Sequence, residues 1–308
     1  MSRQNLYPDW TAADFTDPLF MDARALIVGI SDYRDPDIAG VLGRLRQTDD
    51  DAKALRETLI SIGYSPERIT CLCNEEASLE DIRWQLRELD RMARVPLLLL
   101  FWAGHGASNA WGRSFLLPYD TDLRRLEDTA IPVDEIILLV RVANATHKTI
   151  FLDTCFSAPT SARMFLPDWH HPGLVQADPS LAFVGASTYL ALAQAGRGGI
   201  LAQCLMESLT DRGASLCDDD GVVHLADVMM YLQRYVRPRA VAAWQQAGRL
   251  GEGPQKPYIA CQPGEPIAVG RNVPRHVRRA LDRCELPEPV RKLAAMVLTR
   301  PWPWRDAG

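Results

Sequence analysis

The chain has 308 residues, 47% of them hydrophobic, and a formal net charge of −5 with a pI near 5.7. That is enough apolar material for a real core, at a length that suits one large domain or two small ones. The acidic balance excludes a basic nucleic-acid footprint. The longest apolar run, Val95 to Ala103, is broken by Pro96 and is too short for the ~20 residues of a bilayer span. Met1 to Trp10 shows no apolar stretch of a secretory signal, so a cytoplasmic protein with no membrane partner is expected.

Seven cysteines are scattered over the chain: Cys71, Cys73, Cys155, Cys204, Cys217, Cys261 and Cys284. Their number is odd and none forms a CxxC pair, which argues against a disulfide framework or a zinc site. Cys71 and Cys73 alternate within a strand-like stretch and are expected to be inert thiols. The histidines at 147, 170, 171, 224 and 276 have no metal-ligand spacing. Lys occurs only at 53, 148, 256 and 292, the other basic residues being Arg; this preference points to a GC-rich, bacterial genome.

Residues 1–21 read as a polar, Pro-containing arm. Ala23 to Ile30 is a first buried strand, followed by a loop through Ser31-Asp32-Tyr33. Thr48 is the predicted N-cap of a helix with Asp49, Asp50 and Asp51 in its first turn, where carboxylates suit the helix dipole. Ala52, Leu55, Leu59 and Ile62 recur at helical spacing and Gly63 ends the helix. A short strand covers 68–73. Ser78 opens a second helix in a capping-box-like start, with Ile82, Leu86 and Leu89 on one face. The stretch after His105 reads as a loop with Trp111, Gly112, Pro118 and Asp120, and a third helix begins at Pro132-Val133-Asp134.

Further on, 156–180 is a long loop with four prolines and His170-His171, of a length that is usually functional or disordered. Leu181 to Ala186 is a strand, and Gly198-Gly199 precede a helix that runs to about Leu209. Asp218-Asp219-Asp220-Gly221 is an acidic turn. His224 to Gln246 reads as a helix pair broken near Pro238, and Pro257 to Cys261 as an edge strand. Strands alternating with helices predict an α/β fold with a mainly parallel sheet and helices on both faces. From Pro263 the chain is basic and Pro-rich, with helical patterns at 274–284 and 288–298. The division is thus an arm (1–21), a main domain (22–262) and a C-terminal helical appendage (263–308).

Two apolar runs stand apart. Leu97 to Gly106 and Thr149 to Ser157 each have strand length, and each ends in small or turn-forming residues that carry one reactive side chain, His105 or Cys155. Strands buried on both faces read as such runs, and in open α/β sheets the chemistry sits beyond their carboxyl ends. Two strands thereby deliver an imidazole and a thiol to one edge, the need of a cysteine nucleophile with a histidine base.

Phe101-Trp102-Ala103-Gly104-His105-Gly106, followed by Phe151-Leu152-Asp153-Thr154-Cys155-Phe156-Ser157, resembles the His and Cys motifs of the caspase-like (clan CD) peptidases, bacterial caspase-like proteins and metacaspases above all. Leu26 to Ile30 with Tyr33, Asp51-Ala52, Phe115 to Asp120 and Gln255-Lys256-Pro257 are similar flanks, and the likeness spans about 22–262. The resemblance implies a caspase-hemoglobinase fold and a cysteine endopeptidase. Cys155 would be the nucleophile, His105 the acid and base, and the backbone N–H groups of Gly106 and Cys155 the oxyanion hole.

In metacaspases the positions of Asp51 and Asp153 line the pocket for the residue before the cut. Two carboxylates there would select Arg or Lys, with Arg preferred for its bidentate geometry. Asp32 faces the same cleft in this reading. Taken singly, Asp153 could instead cap a turn and Asp51 could be only a first-turn carboxylate.

The sequence also departs from the family pattern. Ala103 stands where metacaspases often have Ser, and Phe156 where many have His. No acidic calcium-holding segment is evident between Gly106 and Pro118, so no metal or cofactor is expected. The expected partners are protein substrates, together with an upstream protease or inhibitor. Cleavage of the 156–180 loop after Arg163 is the expected activation step, in a bacterial regulatory or antiviral defence cascade by family analogy. The alternatives are a catalytically silent caspase-like scaffold and an adaptor whose 263–308 tail docks a partner.

Overall fold

Strands form where apolar residues run unbroken, and helices where they recur every three or four positions. The computed structural model describes residue 20 and residues 22–43, 45–157, 180–187, 199–210, 222–246, 256–260 and 267–271. In chain order its elements are β1 (Arg24–Gly29), α1 (Pro36–Leu42), α2 (Thr48–Ser61), β2 (Ile69–Cys73), α3 (Leu79–Arg91), β3 (Val95–Ser108), β4 (Ser114–Leu116), α4 (Leu126–Thr129), β5 (Ile131–Pro132) and α5 (Val133–Val142). There follow β6 (Ala145–Ser157), β7 (Leu181–Ser187), α6 (Ile200–Leu209), β8 (Val222–His224), α7 (Leu225–Gln246), β9 (Lys256–Ala260) and β10 (Ala268–Arg271).

The main sheet has the strand order β2-β1-β3-β6-β7-β9. Along this order the pairs are parallel except β7 with β9, which is antiparallel, and β9 lies at the edge. Each core strand divides its side chains between two cores by the two-residue period of a strand. Leu97, Leu99, Phe101 and Ala103 of β3 pack with Leu55 and Leu59 of α2, Leu201 and Leu205 of α6 and Val228 and Leu232 of α7. Leu98, Leu100 and Trp102 pack on the other face with Ile82 and Leu86 of α3 and Ile136 and Val140 of α5. The α/β architecture with a mainly parallel sheet between two helical layers is thus the one expected from the alternation of elements.

Ser78 caps α3 as its position suggests, its hydroxyl accepting from the Asp81 N–H at 3.2 Å. Three local expectations are corrected. Thr48 is not the N-cap of its helix but its first residue; Gln47 holds the cap position at φ 71°. The Thr48 hydroxyl instead shares a hydrogen bond with Ser31 Oγ at 2.9 Å. Pro238 does not break the helix, because α7 runs through it. Val228, Leu232, Val236 and Ala240 are buried on both sides of the proline, and this burial outweighs the backbone hydrogen bond that proline forfeits. The stretch after His105 is not all loop: β4 pairs antiparallel with the end of β3, and β5 with β4.

Residues 267–271, within the stretch read as an appendage, pack onto the body. β10 pairs with β8, Ile267 and Val269 are buried, and Tyr64 Oη donates to the Val269 carbonyl at 3.0 Å. The helical patterns at 274–284 and 288–298 and the arm up to residue 19 lie outside the described residues.

α2 approaches the sheet closely at Gly29, the last residue of β1. A Cβ there would lie 2.4 Å from Ala52 Cβ and 2.6 Å from the Thr48 carbonyl oxygen. Overpacking of this kind costs about 1–3 kcal/mol. Gly29→Ala is therefore expected to lower stability by about 2 kcal/mol in chemical denaturation, and an unchanged midpoint would contradict the close packing of α2 on β1.

Candidate active site

The site lies at the carboxyl ends of β3 and β6. Their parallel register sets Ala103 beside Asp153, His105 beside Cys155 and Gly106 beside Phe156. His105 is buried. Its Nε2–H donates to the Gly43 carbonyl at 2.9 Å. A carbonyl can only accept, so the proton sits on Nε2 and Nδ1 keeps its lone pair. The backbone N–H of His105 donates to Tyr33 Oη at 2.7 Å, and the Tyr33 ring lies tilted against the imidazole, 5.3 Å between centroids. Burial pulls the imidazole pKa down to about 4, with the Gly43 carbonyl acting in the opposite sense. His105 is therefore neutral and held by its far nitrogen.

A second cluster joins α2, β6 and α6. Asp51, 7% exposed, accepts the backbone N–H of Gly199. Asp153, partly buried, accepts the N–H of Ala202 at 3.1 Å. Gly199 sits between them, where a Cβ would lie 2.0 Å from Asp153 Oδ2 and 3.5 Å from Asp51 Oδ2, so a larger residue there would displace the Asp153 carboxylate. Burial pushes the Asp51 carboxyl up to about 7, and the neighbouring Asp153 carboxylate adds to it against the Gly199 hydrogen bond. Burial likewise raises Asp153 to about 6, against the Ala202 N–H. Two carboxyl groups thus share a poorly solvated site, arranged to receive donors.

The structure brings His105 and Cys155 into register, and Asp51 and Asp153 around Gly199. Asp32 makes no described hydrogen bond with either carboxylate. Asp32 is exposed, its backbone N–H donates to Asn74 Oδ1 at 3.1 Å, and the charges acting on Asp51 are those of Asp153, Asp50 and Asp49. Gly106 follows His105 directly, at the point where β4 joins the sheet. Arg163, His170, His171, Asp218, Asp219, Asp220 and His276 lie outside the described residues. Among the described residues no group of three or more His, Cys, Asp or Glu is placed to hold a metal ion, and no helix is long and apolar enough to cross a membrane.

Sequence reasoning missed two parts of the site. The Gly43 carbonyl left no trace, because a backbone acceptor has no side-chain signature. Gly199 was visible only as a glycine before a helix.

The caspase domain family profile matches residues 22–266. The chain belongs to this family, and so to the caspase-like peptidases. Among solved structures, caspase-1 of Spodoptera frugiperda superposes with a TM-score of 0.58 at 15% identity, over 83% of this chain and 94% of that one; this likeness is one of fold. A protein of Geobacter sulfurreducens gives 0.48 at 14% identity, over 78% and 94%. The Drosophila initiator caspase Dronc gives 0.46 at 13%, over 80% and 81%. No curated protein matches the sequence.

The acid pair carries a stability cost with a definite sign. As pH rises from the ordinary carboxylate range towards 7, the unfolded chain has released the Asp51 proton and the folded chain still holds it. This carboxyl's contribution is therefore full at low pH and lost as pH rises. Asp51→Asn keeps an acceptor for the Gly199 N–H and removes the charge. It is expected to stabilise the protein at pH 8 by roughly 2 kcal/mol and to leave it nearly unchanged at pH 4. A variant that melts below the parent at pH 8 would contradict the burial of this carboxylate.

Proposed function

We propose that the chain is a cysteine endopeptidase in which Cys155 is the nucleophile and His105 its acid and base, cutting protein substrates after Arg or Lys. The observation that carries this reading is the β3–β6 register, with His105 and Cys155 side by side at the carboxyl ends of adjacent parallel strands. The His105–Gly43 hydrogen bond supports it, since it leaves Nδ1 free to take a proton.

In this reading the Cys155 thiol gives its proton to Nδ1 and the thiolate attacks the scissile carbonyl carbon. Electrons move onto the carbonyl oxygen, which the N–H groups of Gly106 and Cys155 stabilise. The C–N bond breaks as the imidazolium returns the proton to the leaving amine, and a thioester remains. Water then attacks the thioester and gives a proton to the same nitrogen. The thiolate leaves, recovers that proton and restores the thiol. The reaction as written needs no metal or cofactor.

Asp51 and Asp153 supply the specificity. Asp51 is buried and Asp153 partly buried, so an Arg guanidinium entering beside them meets charge in a poorly screened site. Cleavage after Arg163 in the 156–180 stretch, triggered by an upstream protease, belongs to the same proposal because that residue fits the preference. So does a place in a bacterial regulatory or defence cascade.

The test is a panel of fluorogenic peptides ending in Arg, Lys, Asp or Leu, with the parent and with Cys155→Ala. Cleavage after Arg and Lys is expected, abolished in the variant. For the Arg peptide, kcat/KM should fall as pH drops from 7 towards 5, because the acid pair must be ionised to hold a cation. Asp51→Asn should lower kcat/KM at least about tenfold, the worth of one charge-assisted hydrogen bond. Cleavage after Asp would overturn the role of the acid pair. No cleavage, even after the chain is nicked with trypsin, would favour the silent scaffold.

A further inference from the structure

Cys71 and Cys73 alternate along β2, so the two-residue period of a strand puts both on one face. Their Sγ atoms are 3.8 Å apart. β2 is an edge strand of the main sheet, and both thiols are partly exposed. Their face is the one α2 covers: the Cys73 thiol lies 3.8 Å from the Asp49 carbonyl oxygen. The two thiols are not equivalent. The hydrogen bond between them, joined by the Lys53 ammonium, holds Cys73 below the ordinary thiol range, while the same bond and burial raise Cys71. Cys73 is therefore the readier thiolate.

Cys73 also adjoins the loop that holds His105. Asn74, at φ 48°, accepts the backbone N–H groups of Ser31 at 2.9 Å and of Asp32 at 3.1 Å on its side-chain oxygen. The next residue, Tyr33, accepts the His105 N–H. A change at the end of β2 thus reaches the imidazole through one side chain and two loop residues.

We propose that Cys71 and Cys73 are a redox-active dithiol that a low-molecular-weight disulfide of the glutathione type closes to an intrachain disulfide, and that closure loosens the Asn74 hold on the loop bearing Tyr33. The Cys73 thiolate attacks one sulfur of oxidised glutathione, forms a mixed disulfide and expels one glutathione thiolate. Cys71 then loses its proton, attacks the Cys73 sulfur and expels the second. The two cysteines give up two electrons and two protons, and oxidised glutathione leaves as two molecules of the thiol. Two strand steps separate the Cα atoms by about 6.6 Å, near the upper limit of about 6.8 Å for a disulfide. Closing the bond must also bring the sulfurs from 3.8 Å to about 2.0 Å, which strains β2 around Leu72. A bond under such strain is readily reduced again, as a switch requires.

The test uses the full chain with Cys155→Ala, so that the readout does not depend on peptide cleavage. The protein is equilibrated with oxidised glutathione, its thiols are blocked, and its peptides are mapped by mass. Amide hydrogen exchange is followed at Ser31, Asp32 and His105. The expected result is a 71–73 disulfide that dithiothreitol reverses, with exchange at those amides several-fold faster in the oxidised protein. Adding Cys71→Ser should trap a glutathione adduct on Cys73. Free thiols, separate adducts on both cysteines, or a disulfide without faster exchange would overturn the proposal.

Discussion

The parallel register of β3 against β6 is the constraint on which the site depends. Each hydrogen-bonded step along the pair fixes the next, and a slip of one residue would turn every side chain of one strand to the opposite face. Burial prevents that slip. Phe101 and Phe151 belong to one core, and Leu100 and Leu152 to the other. A shifted strand would therefore lose both sets of contacts. With the register held, Ala103 faces Asp153 and His105 faces Cys155. The positions of His105 and Cys155 are thus located by the hydrophobic packing of residues several positions upstream.

Around this fixed pair the molecule spends stability on groups that a purely structural protein would avoid. His105 is neutral in a buried setting, held by Gly43 and Tyr33. Asp51 and Asp153 are drawn out of water, with only backbone N–H groups of α6 as described donors. Conflicts of this kind, a buried titratable group without a countercharge among the described residues, gather where a protein does chemistry. In the proposed reading, the countercharge that the described residues do not supply is the side chain of the substrate.

Much of the architecture was legible in the sequence because burial on both faces of a sheet leaves unbroken apolar runs. β1, β3, β6 and β7 announce themselves in that way, and α2 and α3 by their helical spacing. What failed to show was decided by tertiary contact. Pro238 reads as a break, yet packing of Val228 and Leu232 before it and Ala240 after it carries α7 through. Thr48 reads as a cap, yet its hydroxyl goes to Ser31. β4 and β5 are too short to carry a pattern. In the site, Asp51 and Asp153 were legible through the family motif, whereas the exposed position of Asp32 depends on how Asn74 gathers the loop after β1. Gly43 acts through its carbonyl, which any residue would possess. The closeness of the Cys71 and Cys73 sulfurs was also hidden, because their alternation alone suggested inert strand thiols.

The most direct test of the His105–Cys155 pairing is covalent labelling with a reagent that carries Arg in the recognition position and a thiol-alkylating group at its end. The labelled residue is located by peptide mass, and the labelling rate is compared with that of His105→Ala. The expected result is a single modification at Cys155, with a rate lower by about two orders of magnitude in the variant, the usual contribution of a positioned base. Labelling at another cysteine, or a rate that ignores the loss of His105, would contradict the pairing that the β3–β6 register implies.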